Sequence, residues 1–142
     1  MNYYLEILKS FYKFKNLHFN KFLPSNLSHG ECFIIMKLNE LNKEITISDI
    51  SDILNVSPPA LSRTIKHLEE KKYIKRIVDE KDRRNNFLEL SSTGKKIATK
   101  VEKCMKEYYQ LIYDNLGEKR FTEFLKCLND IYEISLKESN NN

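Results

Sequence analysis

The segment ISDISDILNVSPPALSRTIKHLEEKKY, residues 47–73, restricts the fold of this chain more than any other stretch. Thr46, just before it, has the character of a helix N-cap, with Asp49 three residues on near the positive end of a short helix. Ile50, Ile53 and Leu54 are expected to face inward, and Asn55 suits the left-handed position that closes the helix. A second helix then starts almost at once. Ser57 is its N-cap, Pro58 takes the first helical position, where a missing N–H costs nothing, and Pro59 falls in the same turn. At 100° per residue, Leu61, Ile65 and Leu68 share one face while Pro59, Ser62, Arg63 and Lys66 share the opposite one. Two short helices joined by residues 55–57, the second with a small, basic outward face, make the pattern of a helix-turn-helix. Many structural helix pairs have this spacing, and Arg63 and Lys66 also read as two solvated side chains on an amphipathic helix.

A hairpin pattern beyond the second helix narrows the choice. Residues 73–78 and 87–90 are β-prone runs on either side of a charged tip that contains Arg83 and Arg84. A hairpin directly after a helix-turn-helix is a wing, and the loop at 79–86 is longer than a minimal two-residue turn. Turn chemistry alone asks for Gly, Asn or Asp, so paired arginines need another reason. An exposed tip carrying them suits a narrow minor groove, whose negative potential attracts inserted arginine. Asp82 would hold an arginine rotamer by a charge-assisted bond; alternatively it only shapes the loop as an Asx turn. Charge points the same way. Residues 57–84 contain nine Lys and Arg against five Asp and Glu, and removing these from the totals of 24 and 20 leaves fifteen of each elsewhere. All of the net charge of +4 therefore lies in one short segment, where a polyanion would be met.

The flanks are helical and apolar. From 3 to 22, Leu5, Leu8, Tyr12, Phe19 and Phe22 form one stripe and Ile7, Phe11, Phe14 and His18 a second, so this helix, ended by Pro24, should be buried on two sides. That suggests a partner subunit. Its aromatic residues Phe11, Tyr12, Phe14 and Phe19 would also suit a flat apolar ligand, although such a stripe is more often plain core. Ser28 caps the next helix, with Glu31 three residues on and Ile34, Ile35 and Leu38 on its inner side. Beyond the wing, Ile97, Val101, Cys104 and Tyr108 mark one long helix that Gly117 closes, and Phe121, Phe124, Leu125, Leu128, Ile131 and Tyr132 mark another. The domain plan is a winged helix-turn-helix module at 28–90 between dimerisation helices at 3–23 and 91–138, in a mainly α fold with a small β-hairpin wing.

Several chemistries find no support. No apolar run is long enough to span a membrane, and the start lacks the basic, apolar and small-residue blocks of a signal peptide, so a cytoplasmic location is expected. Cys32, Cys104 and Cys127 have neither metal-knuckle spacing nor an even count, and they read mainly as small apolar residues. Redox sensing ranks below inert packing, because none has an evident thiolate-stabilising neighbourhood. His18, His29 and His67 are too scattered for a metal site. No phosphate loop, cofactor motif or catalytic set is found, so no enzyme and no cofactor are expected.

The stretches LSHGECFIIMKL, ITISDISDILNVSPPALSRTIKHLEEKKYIKRI and DEKDRRNNFLELSSTGKK, in this order, resemble the MarR family of bacterial transcription regulators across nearly the whole chain. The most specific part is AspGluLysAspArgArg followed by a strand and then Leu90, Ser91 and Gly94. The resemblance implies a winged-helix homodimer on a pseudo-palindromic double-stranded operator, usually a repressor, often released by a small aromatic ligand, a metal or an oxidant. It puts residues 57–71 in the major groove, makes Arg84 the minor-groove arginine of the wing, and makes Asp82 its orienting partner. Lys72 departs from the family, in which Gly is common there; a non-Gly residue in the left-handed region costs about 1 kcal/mol, so another geometry is expected at this junction. Pro58 and Pro59 leave the helix start without amides for phosphate, so its first turn should offer apolar contacts, for instance to thymine methyls. The competing readings are a winged-helix module that binds a protein, and a cysteine-based redox sensor on the same fold.

Overall fold

The computed structural model describes residues 2–15, 17, 22–24, 27–41, 45–78 and 86–140. In chain order these form α1 (Tyr3–Lys15), α2 (His29–Leu41), β1 (Ile45–Thr46), α3 (Ile47–Leu54), α4 (Pro58–Glu70), β2 (Ile74–Val78), β3 (Asn86–Leu90), α5 (Ser92–Leu116) and α6 (Glu118–Asn140). The winged helix-turn-helix order read from the sequence is present. The chain divides into two units, Met1–Cys104 and Met105–Asn142.

Local chemistry accounts for most helix ends. The Ser28 Oγ accepts from the Glu31 N–H at 3.2 Å while the Ser28 N–H donates to Glu31 Oε2 at 2.7 Å, a reciprocal box that opens α2. Thr46 and Asp49 repeat the device at α3, with Asn55 at φ 49 closing it. Ser57 has the extended backbone of an N-cap, but its side chain makes no cap hydrogen bond. Pro59 removes one of the two N–H groups that such a cap accepts from, at the second helical position, and Ala60 carries the other. Gly117 ends α5 at φ 75, where a side chain would be strained.

The core of the first unit gathers the inner faces expected for α2, α4 and α5. Ile34, Ile35, Leu61, Ile65, Leu68, Ile97 and Val101 are all buried, together with Leu27 and Leu88. The sheet has the order β1-β3-β2, with Ile45 opposite Leu88 and Ile74 opposite Leu90, so the wing is anchored to the core by its inner residues. No alternation signals β1, since two residues carry no period.

Three expectations need correction. Ile53 is 48% exposed, because α3 turns Ile50, Ser51 and Leu54 inward and Ile53 falls off that arc. The Ser51 hydroxyl is part of this packing and donates to the Val56 carbonyl at 2.5 Å. The first helix is described only to Lys15, where the Leu17 N–H takes a shorter-range bond to the Phe14 carbonyl, and Phe22 stands in a turn before Pro24. His18 and Phe19 lie outside the described residues. Within a single chain α1 buries nothing on either stripe. Lys72, finally, adopts the left-handed backbone rather than another geometry. It sits at φ 60, with its N–H bonded to the Glu69 carbonyl at 2.8 Å and the Tyr73 N–H bonded to the Leu68 carbonyl at 2.9 Å, the two bonds of a Schellman ending.

Candidate nucleic-acid interface

The outward face of α4 is what its periodicity requires once Leu61, Ile65 and Leu68 are buried. Pro59, Arg63 and Lys66 are exposed there, beside a half-buried Ser62. Pro58, Ala60 and Val56 are also exposed, so the first turn presents carbon rather than amides. The Ser62 hydroxyl donates back to the Pro58 carbonyl at 2.8 Å, which leaves its oxygen free only to accept. Asp82, Arg83 and Arg84 lie outside the described residues, as does the rest of the loop from 79 to 85. Ser57, Pro59, Ser62, Arg63 and Lys66 are therefore brought together on one helix.

The basic character of the segment is narrower than its composition suggests. Lys71 pairs with Glu31 at 2.8 Å, Lys75 with Glu89 at 2.7 Å, and Arg76 grips Glu69 with two bonds at 2.7 and 3.1 Å. These cations serve the fold. Among the described residues of the segment, Arg63, Lys66 and Lys72 have no ion-pair partner. Two of the three lie on the α4 face, so positive charge available to a polyanion is concentrated where base edges would be read.

The sequence marks Glu31 only as a capping residue, yet it is buried and reaches from the start of α2 to the end of α4. Burial works against its carboxylate, but the Lys71 ammonium and the Ser28 N–H and hydroxyl more than compensate and hold its pKa below the ordinary value. A partner forty residues away leaves no periodic trace in a sequence. Beside it, Cys32 is fully buried, and burial followed by the Glu31 charge pushes its thiol up to about 11. Such a thiol is almost wholly protonated at neutral pH and is a packing residue.

A hollow of about 500 Å³ lies between α2 and α5, lined by Phe33, Met36, Lys37, Glu40, Ala98 and Glu102. The Lys37 ammonium stands 5.9 Å over the Phe33 ring and pairs with Glu40. Among the described residues, Phe11, Tyr12 and Phe14 of α1, expected to suit a flat ligand, are not among its walls.

The sequence profile of the MarR family matches residues 27–85, from just before α2 to just before β3, the second strand of the wing. The chain is 24% identical over 111 residues to the HTH-type transcriptional regulator BilQ of Clostridioides difficile (strain CD3), covering 78% of this chain and 74% of that protein. In fold it is similar to S. aureus MepR in a complex with DNA, with a TM-score of 0.77, 21% identity, and coverage of 94% of this chain and 97% of that one. A mutant MarR from E. coli complexed with operator DNA gives a TM-score of 0.74 and 18% identity, covering 89% and 91% of the two chains.

Proposed function

We propose that this chain is a transcription regulator of the MarR family, whose profile it matches over residues 27–85, and that it is a homodimeric repressor that reads a pseudo-palindromic operator. As a member of the family it is a transcription regulator rather than an enzyme. The observation that carries the reading is the α4 face, where Arg63 and Lys66 stand exposed and unpaired while Lys71, Lys75 and Arg76 are held in ion pairs. MepR and the E. coli MarR mutant, its structural relatives, are both DNA complexes, which supports the same role here. Arg84 enters the minor groove, with Asp82 orienting it and Arg83 beside it. Exposed apolar residues on α1 (Leu5, Leu8, Phe11) and on α6 (Leu125, Leu128, Ile131) support a second copy as the partner that covers them. No helix among the described residues is long and apolar enough to cross a membrane. A regulator that reads an operator acts where the DNA is, in the cytoplasm.

Arg63→Ala should weaken operator binding by roughly 1–3 kcal/mol and relax preference at one base position. Pro59→Ser should alter sequence preference more than overall affinity; equal loss on every operator would remove the apolar-contact reading. A mobility shift with no sequence selectivity would favour the protein-binding alternative. Relief of operator binding by a small aromatic ligand belongs to the same reading; the hollow between α2 and α5 has Lys37, Asn39, Glu40 and Glu102 beside Phe33, Met36 and Ala98 in its walls, so a ligand held there would carry polar groups as well as an apolar face.

A further inference from the structure

The C-terminal end of α4 is held by backbone bonds that converge on one serine. Lys72 turns left-handed at φ 60, and its carbonyl accepts a hydrogen bond from the Ser91 hydroxyl at 2.7 Å. The Ser91 oxygen in turn accepts from the Gly94 N–H at 2.9 Å and so caps the start of α5. The Ser91 N–H meanwhile donates to the Tyr73 carbonyl at 3.0 Å. One residue thus closes the ending of the recognition helix and opens the helix that follows the wing. The joint is tight. A Cβ on Gly94 would lie 1.9 Å from the Tyr73 carbonyl oxygen and 2.9 Å from its carbon, both backbone atoms that cannot step aside. At the other end of α4 the Ser57 side chain makes no cap bond. Buried Leu61, Ile65 and Leu68 seat the helix, and its C-terminal end adds side-chain bonds that the Ser57 end lacks.

We infer that Ser91 is a positioning residue for DNA recognition: by donating to the Lys72 carbonyl while accepting from Gly94, its hydroxyl fixes the angle at which α4 presents Arg63 and Lys66. This rests on the DNA-binding reading above. The role needs a group that both donates and accepts, which Thr supplies, Ala does not, and an ionised Asp supplies only by half. Ser91→Asp keeps the α5 cap and loses the bond to Lys72, so it separates positioning from folding.

The test compares binding to an operator selected by the wild type with binding to a random duplex of equal length, by fluorescence anisotropy. Non-specific affinity depends on phosphate neutralisation and not on the angle of α4, whereas specific affinity depends on both. Ser91→Asp and Ser91→Ala should each lower the operator-to-random ratio about tenfold, comparable with one misread base pair. Ser91→Thr should restore it. Val101→Ala, which opens the buried core of α5, should leave the ratio unchanged, since a smaller folded fraction lowers both affinities alike. A ratio that survives in Ser91→Asp overturns the inference. A wild-type ratio near one overturns the DNA-recognition reading itself, and this inference with it.

Discussion

Replacing Lys71 by Met tests what the ion pair at the end of α4 contributes. The Glu31 side chain is 6% exposed and that of Lys71 34%, with Nζ and Oε1 2.8 Å apart. Met keeps much of the aliphatic stem and removes the ammonium, leaving Oε1 of a nearly buried carboxylate without its cation. Hydrogen bonds to charged groups contribute about 1.5–3 kcal/mol, and the partial exposure of Lys71 places this one near 2 kcal/mol. The loss should depend on pH. In the wild type the Glu31 pKa is lowered in the fold, so its contribution is present above the unfolded value, near 4.5, and disappears as pH falls through the folded one. In Lys71→Met, burial is opposed only by Ser28, the pKa rises relative to wild type, and the gain in stability from acid to neutral pH shrinks. Urea denaturation of both proteins across this range should show a deficit at neutral pH that narrows as Glu31 becomes protonated. Adding Glu31→Gln to the variant should recover part of the loss, because the amide carries no charge to desolvate. A deficit that is the same at every pH, or none, would refute the reasoning and leave Lys71 as a packing residue.

Other perturbations separate folding roles from binding roles. Lys72→Gly should stabilise the protein by about 1 kcal/mol, the left-handed penalty it relieves, read as a higher urea midpoint; a lower midpoint would show that the Lys72 backbone bears no strain. Lys66→Ala should reduce the salt dependence of operator binding by about two counterions per dimer, whereas Lys75→Ala, whose ammonium is already paired with Glu89, should barely change it. Equal slopes for the two variants would mean that the ion pairs do not divide the cations as described. Arg84→Ala should weaken binding without moving the thermal midpoint, and unchanged affinity would remove the wing from the interface.

Helix α4 is legible in the sequence because its signals are local. Ser57, Pro58 and Pro59 mark its start, and Leu61, Ile65 and Leu68 set its face within eight residues of one another. Thr46, Asp49 and Asn55 bracket α3 for the same reason. Composition does not reveal which lysines and arginines are free. Lys71 is committed to a carboxylate on α2 and Lys75 to one across the hairpin, and both pairings exist only once the sheet and helices have packed. The Lys72 geometry runs against a local penalty of about 1 kcal/mol, which taken alone argues for another conformation. In the structure Ser91 and the Schellman bonds hold that backbone, and tertiary context overrides the local preference. Ser91 and Gly94 are visible as letters shared with a family, but their work depends on a close approach to Tyr73 that no spacing rule anticipates.

Selection of binding sites from a randomised duplex pool, at moderate salt, tests the central claim most directly. A dimeric reader predicts an inverted repeat whose half-sites are centred about 34 Å apart, one helical turn. Recovery of no motif, with binding that simply falls as salt rises, would contradict sequence-specific recognition by the α4 face.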